Sequence, residues 1–369
     1  MGKIHKNPQP LIHTPASVAD AELLTDRQRE ILRLIIQHYV LTANPVGSRY
    51  LARVSPLGLS DASTRNIMSD LEFQGFIDHP HTSAGRMPTD KGYRVYVDAL
   101  MALEKLTEAE RKAVSRSLVD ALTAEDIIKE STEILAKLSK QLTLVLLPAL
   151  DDGVLERVEL VSLSSSRVLI VLIASSGRVR TVTLETDTHI EPGKINELGD
   201  VLNARLAGRS FREIKATFAE SIADLPQHAK DILRVFVDSP DKLFDDSSSD
   251  RVKLSGAKHI FSQPEFQKKN IISDDEFQSI IELLDNEDVV IHVLERSRVA
   301  HATDTVAIRI GSELEDEKMT NYSIISTKYK IGDQQGMIGL IGPKRMNYAR
   351  MAPLVEYVAR AMTNALTSK

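Results

Sequence analysis

The stretch SDASTRNIMSDLEFQGFIDHPHTSAGRMP, residues 60–88, joins a helix signal to a hairpin signal. Ser60 can cap a helix that Gly75 ends. The helix has a buried stripe at the spacing i, i+3, i+4 and i+7, formed by Thr64, Ile67, Met68 and Leu71. Residues 76–79 and 86–88 are short extended pieces around a turn-rich tip. The pattern therefore predicts a helix followed by a two-stranded hairpin.

Two further helices are predicted upstream of this stretch. Thr25 and Gln28 form a capping-box pattern that begins a helix over residues 26–41. A shorter helix runs from Ser48 to about Val54 and ends in the turn SPLG. Three helices followed by a hairpin, all within about 60 residues, have the layout of a winged helix-turn-helix, and the sequence predicts that module.

In such a module the third helix enters the major groove of DNA, and the hairpin lies on the backbone or in the minor groove. The outward face of the helix carries short or planar donors, with Arg65 as a guanine reader and Asn66 as an adenine reader. Backbone N–H groups of its first turn suit a phosphate. The predicted DNA-binding residues are Ser48, Arg49, Ser60, Ser63, Arg65, Asn66, Ser69, His81, Thr82, Ser83, Arg86, Lys91 and Arg94.

Two alternatives stay open from these residues alone. The polar side chains could simply be solvated on an exposed helix face, and helix-turn-helix modules also serve as platforms for protein binding. The basic residues Arg86, Lys91 and Arg94 favour DNA, because they belong to the hairpin and to the helix that Thr89 can cap after it. The acidic residues Asp78 and Asp90 count against it.

Charge is distributed unevenly along the 369 residues, whose net charge is −6. Residues 1–100 carry 11 basic and 10 acidic side chains, against 35 and 42 in the remainder. A DNA surface is therefore expected to be a local patch near the N-terminus. The absence of cysteine excludes disulfides, thiolate zinc sites and cysteine nucleophiles.

The sequence shows neither the pattern of a membrane-spanning segment nor that of a secretion signal. Apolar runs such as LTLVLLPAL, residues 142–150, are too short to cross a bilayer, and the first twenty residues lack the apolar centre of a secretion signal. We therefore expect a cytoplasmic protein whose residues 1–22 form a flexible tail.

The remainder of the chain changes to strand patterns at residue 142. Strands are predicted within residues 142–185 and 289–342, with mostly helical patterns over 195–286 between them. Because short strand sets bury too little to stand alone, both blocks are expected to form one sheet interrupted by an inserted subdomain. Helical stretches at about 107–141 connect it to the N-terminal part, and an amphipathic helix begins at Asn347.

Residues 62–98, ASTRNIMSDLEFQGFIDHPHTSAGRMPTDKGYRVYVD, resemble the signature of the HrcA family of heat-inducible transcription repressors. The run PHTSAGRMPTDKGYR is highly specific. Further matches cover nearly the whole chain: LTDRQREIL, PVGSRYLA, LAGRSFREI, FSQPEF and GMIGLIGPKRMNYARM. Thr64 is a departure, since an apolar residue is expected there, and the extended N-terminal tail is another.

The resemblance implies an α+β fold of three parts: a winged-helix domain at 23–104, a GAF-like domain at 142–194 and 287–369, and a dimerising subdomain inserted at 195–286. Residues 105–141 would be a helical connector. The implied function is a homodimer that binds an inverted repeat and represses chaperone operons, since two half-sites add their binding free energies. The chaperonin would sustain the repressor's activity, and heat stress would relieve repression.

Other functions fit the sequence less well. Alternate residues of a strand share a face, so Asp78, His79 and His81 offer at most two metal ligands on one face. The serines of SLSSSR lack a nucleophile-elbow pattern, and the glycines of IASSGR and GLIGPKR match no phosphate-binding fingerprint. Strands rich in Val, Leu and Ile indicate a filled core rather than an effector pocket. We therefore expect no enzyme activity, cofactor, metal or small-molecule effector.

Overall fold

Helices and β-sheets are both present in the computed structural model, so the chain is an α+β protein, as predicted. The predicted DNA-binding residues His81, Thr82 and Ser83 lie outside the described residues, as do residues 264–286 of the predicted helical stretch. The structure describes residues 15–79, 85–164, 166–185, 192–225, 251–263, 291–292, 294–295 and 306–367.

Four helices open the described chain: α1 (Pro15–Leu23), α2 (Asp26–Thr42), α3 (Ser48–Val54) and α4 (Asp61–Phe73). The predicted capping box starts α2, because the Thr25 N–H donates to Gln28 Oε1 at 2.9 Å and the Gln28 N–H donates to Thr25 Oγ1 at 3.3 Å. These reciprocal bonds satisfy two N–H groups that lack partners within the helix.

The expectation of a flexible tail through residue 22 is wrong for residues 15–22, which belong to α1. Ala21 is buried in the core, and its carbonyl oxygen accepts a hydrogen bond of 3.1 Å from Arg29 Nε. A contact with α2 therefore orders a segment that has no strong helix signal of its own.

The hairpin follows α4 and is shorter than predicted, with β1 (Ile77–Asp78) paired antiparallel to β2 (Met87–Pro88). Helix α5 (Asp90–Val95) begins after Thr89, whose hydroxyl accepts the Gly92 N–H at 3.1 Å. It continues as a π-helical turn and ends at Leu100. Residues 15–79 and 85–100 are called the N-terminal unit below.

The rest of the described chain forms α6 (Glu108–Val119), α7 (Ala124–Ser139), β3 (Leu142–Leu146), β4 (Leu155–Ser164), β5 (Arg167–Ala174), β6 (Val179–Glu185), α8 (Pro192–Leu206), α9 (Phe211–Ser221), β7 (Val252–Ser255), α10 (Ala257–Phe261), β8 (Ala307–Ile310), β9 (Tyr322–Ile331), β10 (Gln334–Pro343) and α11 (Tyr348–Thr367). Its strands are divided between two sheets.

The larger sheet has five antiparallel strands in the order β7-β3-β10-β9-β8. Its central strand β10 aligns Gly339 with Leu144 of β3 and with Ser326 of β9. Side chains such as Val145 and Ile338 join a core with α7 and α11, while the alternate residues fill a second core on the other face. This sheet therefore has buried side chains on both faces.

The three strands β4, β5 and β6 form a separate sheet, so the expectation of a single sheet is wrong for residues 155–185. One face of this three-stranded sheet packs on α8 and α9 in a core of its own. Because the two helices supply the apolar cover, these strands do not need the larger sheet. The separate unit thus begins directly after β3, well before the predicted boundary at residue 195.

A second difference concerns VVIHVLE, residues 289–295, which has the pattern of a strand. Residues 291, 292, 294 and 295 are helical. Ile291 and Leu294 are both buried against the larger sheet, and three residues is the spacing at which neighbours share a helix face.

The N-terminal unit shares one continuous core with α7, α11 and the larger sheet. Within it the rings of Tyr93 and Tyr348 meet edge to face with centroids 6.0 Å apart. Among the described residues, no helix is both long and apolar enough to cross a membrane.

Candidate nucleic-acid interface

The outward face of α4 carries four of the predicted DNA-binding residues, all exposed: Ser63, Arg65, Asn66 and Ser69. Its inward face buries Thr64, Met68 and Leu71, in a helix that contacts α2 and α3. The predicted stripe is therefore present, and the polar residues point away from the core.

The first turn of α4 is held by hydroxyl groups. Ser60 Oγ accepts the Ser63 N–H at 3.1 Å, and the two serine hydroxyl oxygens lie 3.0 Å apart. Thr64 is fully buried, yet its hydroxyl donates to the Ser60 carbonyl oxygen at 3.0 Å. This bond satisfies the polar atom, which explains how a threonine fits where an apolar residue is expected.

Asp61 connects the first turns of α3 and α4. Its carboxylate accepts a hydrogen bond from the Ser48 hydroxyl and lies 3.5 Å from Arg65 Nη2 and 3.7 Å from Arg49 Nε. The side chains of Arg49 and Arg65 remain 89% and 67% exposed. Sequence reasoning missed Asp61, because its role depends on two helices meeting in space.

Glu72 ties α4 to the hairpin. Its Oε2 accepts from Arg86, with Nε at 2.9 Å and Nη2 at 2.8 Å, and its Oε1 lies 2.5 Å from His79 Nδ1. The backbone of Arg86 also exchanges two hydrogen bonds with Val46, of 2.8 and 2.9 Å. Arg86 therefore anchors the base of the hairpin, which the sequence pattern did not indicate.

Glu72, Asp78 and His79 bring one ligand atom each within 4.8 Å of one another, so the spacing alone would admit a metal ion. The Arg86 guanidinium already pairs with Glu72 in the same cluster. A cation of this kind competes with a metal for the carboxylate, and the geometry fits a hydrogen-bonded ion-pair network.

Lys91 lies beside the hairpin in contact with the protein. Its Nζ is 3.3 Å from Asp20 Oδ1 and 3.3 Å from the Gln74 carbonyl oxygen, and it sits 4.5 Å above the Phe76 ring. The side chain is still partly exposed, so it can reach solvent from this position.

Arg94 lies in the interior, and its geometry does not fit the predicted phosphate contact. Its side chain is 12% exposed and donates to Glu313, to Asp98 at 3.0 Å and to the Ile308 carbonyl oxygen at 2.6 Å. Burial would lower the pKa of Arg94, but these acidic partners raise it overall, so the guanidinium stays charged.

Asp90 makes a second contact between the N-terminal unit and the larger sheet. Its Oδ1 accepts from Lys344 Nζ at 2.7 Å, and its Oδ2 accepts from the Ser312 N–H at 3.0 Å. Gly311 has a φ of +53°, and a Cβ atom there would collide with the Asp90 carboxylate. Glycine therefore permits the close approach.

A cleft of about 870 Å³ lies away from these residues, between α7, β6 and β7. Basic and acidic side chains mix along its wall, including Lys129, Arg178, Lys253 and Glu133. The prediction that no small effector binds stays a prediction.

Comparisons with known proteins cover most of the chain. A family model described as "HrcA protein C terminal domain" matches residues 125–352. The crystal structure of a hypothetical protein, determined at 2.2 Å resolution, is similar in fold to this chain. The TM-score is 0.61 and the two sequences are 24% identical. The match covers 94% of this chain and 99% of that chain, and it supports the fold alone.

Three curated relatives carry the name "Heat-inducible transcription repressor HrcA". The protein from Chlorobium phaeobacteroides (strain BS1) is 38% identical and covers 93% of this chain and 99% of its own. The proteins from Prosthecochloris aestuarii and Chlorobaculum tepidum are each 38% identical and cover 93% of this chain and 98% of their own.

Proposed function

The chain belongs to the HrcA family of heat-inducible transcription repressors, and we propose that it represses heat-shock operons as a homodimer bound to an inverted-repeat operator. The activity is transcriptional repression, not catalysis. The observation that carries the proposal is the exposed polar face of α4, which presents Arg65, Asn66 and Ser69 opposite the buried stripe.

The N-terminal unit acts as the winged helix. In this proposal α4 enters the major groove, and the Asp61 carboxylate holds Arg65 and Arg49 at its entrance while both stay exposed. The hairpin is the wing, with Arg86 and Glu72 fixing its angle to α4. His81, Thr82 and Ser83 remain predicted contacts at its tip, Lys91 a predicted phosphate contact, and Arg94 is left out.

The larger sheet with α7 and α11 acts as the GAF-like domain. Its chain is interrupted after β3 by the three-stranded sheet with α8 and α9, and it resumes at β7. We therefore place the inserted subdomain from about residue 150, including β4 to β6, rather than from residue 195.

Dimerisation is assigned to the outer face of the three-stranded sheet. The opposite face is covered by α8 and α9, whereas the outer face carries partly or largely exposed apolar side chains: Val161, Leu163, Leu169, Val171, Ile173 and Val179. Cross-strand pairing brings Val161 beside Leu169 and Ile173 beside Val179. An apolar face of this kind is typical of a surface that a second copy covers.

The chaperonin is proposed as the modulator of activity, on the family resemblance. Repression requires two folded subunits, so operator occupancy falls steeply when the folded fraction drops. A chaperonin engaged with other misfolded proteins would no longer restore that fraction, and the operons would be transcribed.

Selection from random duplexes with the purified protein, followed by footprinting, tests the proposal. We expect an inverted repeat whose half-sites are about one helical turn apart or a multiple of it. Heating the protein should reduce the footprint, and chaperonin with ATP should restore it. Recovery of no preferred duplex would instead favour the protein-binding platform.

A further inference from the structure

Phe73 ends α4 as an almost fully exposed side chain, 93% accessible to solvent. A single exposed apolar residue needs no explanation by itself. The direction of the Phe73 side chain does need an explanation, because the rest of the outward face of α4 consists of small or polar residues.

The helical geometry puts Phe73 opposite the core. At about 100° per residue, Phe73 lies about 140–180° around the helix from each of the buried residues Thr64, Met68 and Leu71. It is about 20° around the helix from Asn66 and about 10 Å farther along the axis. Phe73 and Asn66 therefore point in nearly the same direction.

The charge of the residue that precedes Phe73 is already compensated. Glu72 precedes Phe73, but its carboxylate is paired with Arg86 and His79 at the base of the hairpin. The Phe73 ring can approach DNA without carrying an unpaired Glu72 charge towards the phosphates.

We propose that Phe73 determines sequence specificity by packing on the 5-methyl group of a thymine in the major groove. The inference rests on the proposed function of α4. A phenyl ring offers no hydrogen bond, and in the major groove only thymine presents a methyl group. The offset of about 10 Å along α4 from Asn66 spans at most about three base pairs at about 3.4 Å each, so the thymine lies within about three base pairs of the base that Asn66 contacts.

Replacing single thymines by deoxyuridine in the selected duplex tests the proposal, because this change removes only the methyl group. Wild-type protein should lose about threefold to fivefold in affinity at one thymine of each half-site. Phe73→Ala should bind the thymine duplex more weakly and show no further loss with deoxyuridine at that position. Phe73→Leu should keep most of the difference in affinity between the thymine duplex and the deoxyuridine duplex.

Leu122→Ala serves as the matched control, since Leu122 is 81% exposed and lies outside the N-terminal unit. This variant should lose as much affinity as the wild-type protein when deoxyuridine replaces the thymine. An undiminished penalty in Phe73→Ala, or no thymine sensitive to deoxyuridine, would overturn the assignment while leaving operator binding intact. A change of oligomeric state in Phe73→Ala would make Phe73 a protein contact, and failure to select any duplex would remove the proposed function together with this inference.

Discussion

The guanidinium of Arg94 donates to the carboxylate of Glu313 across 219 positions of sequence, with Nε 2.7 Å from Oε1. The same guanidinium pairs with Asp98, whose side chain is fully buried. A single arginine of α5 thus neutralises one acid of its own unit and one beside the larger sheet. It joins the two parts of the chain instead of facing solvent.

Arg94→Ala should lower the free energy of unfolding by about 3–5 kcal/mol, because it removes the guanidinium that pairs with the buried carboxylate of Asp98. Urea denaturation followed by circular dichroism measures the loss. The control is Arg360→Ala, which breaks an exposed pair with Glu356 and should cost at most about 1 kcal/mol. Normal stability with weaker, less salt-dependent DNA binding would return Arg94 to the list of phosphate contacts.

Asp90→Asn should remove a contribution to stability that depends on pH. Burial alone would raise the pKa of Asp90, but hydrogen bonds from Lys344 and the Ser312 N–H lower it overall from 3.8. Since the folded-state pKa is depressed, the charged form stabilises the fold above pH 3.8, and the contribution disappears as the pH falls below that value.

Urea denaturation at pH 7, 5, 4 and 3 checks this. The difference between wild type and Asp90→Asn should be largest at pH 7 and should shrink below about pH 4. Asp26→Asn is a matched control, because Asp26 also begins a helix but is almost fully exposed. A difference that stays constant down to pH 3 would contradict the role of the charge.

Gly311→Ala should be more destabilising than Gly177→Ala. Both glycines have positive φ, so each substitution costs about 1 kcal/mol in backbone strain. A Cβ at Gly177 meets nothing within 4 Å, whereas one at Gly311 collides with the Asp90 carboxylate and adds about 1–3 kcal/mol. Equal melting temperatures for the two variants would show that Asp90 can move away freely.

Val161→Glu should convert the proposed dimer into monomers, since it places a charge in the proposed apolar interface. Sedimentation velocity measures the change, and operator affinity should fall because half-sites then bind singly. Val119→Glu is the control, because Val119 is also exposed but lies on α6. A dimer that persists in Val161→Glu would place the interface elsewhere.

Arg65→Ala should weaken operator binding by about 1–3 kcal/mol and relax the preference for one base in each half-site. Competition gel shifts against single-base variants of the operator measure both effects. Arg111→Ala removes an exposed arginine from α6 and should change neither. Unaltered discrimination in Arg65→Ala would exclude Arg65 as a base reader.

The local structure of the N-terminal unit could be predicted from the sequence. The capping residues Thr25, Ser60 and Thr89 all accept the hydrogen bonds that their patterns predicted. Such signals can be read because donor and acceptor lie within three residues of each other. The buried stripe of α4 follows in the same way from the helical period.

The ion-pair partners of the charged residues could not be predicted from the sequence. Arg86, Lys91 and Arg94 form a basic group in sequence, yet they contact Glu72, Asp20 and Glu313 in the structure. Charge alone does not distinguish a phosphate contact from an internal ion pair, because both need the same side chain. Only the positions of the acidic residues separate these roles.

The sequence by itself determined most helices and strands, the outward face of α4 and the family to which the chain belongs, since all three depend on local periodicity or on contiguous motifs. Only the tertiary structure decided that β4 to β6 form their own sheet, that Arg94 is internal and that the Phe73 side chain stays almost fully exposed to solvent. These features depend on which distant segments meet, and an alternating strand pattern or a lone arginine is compatible with several partners.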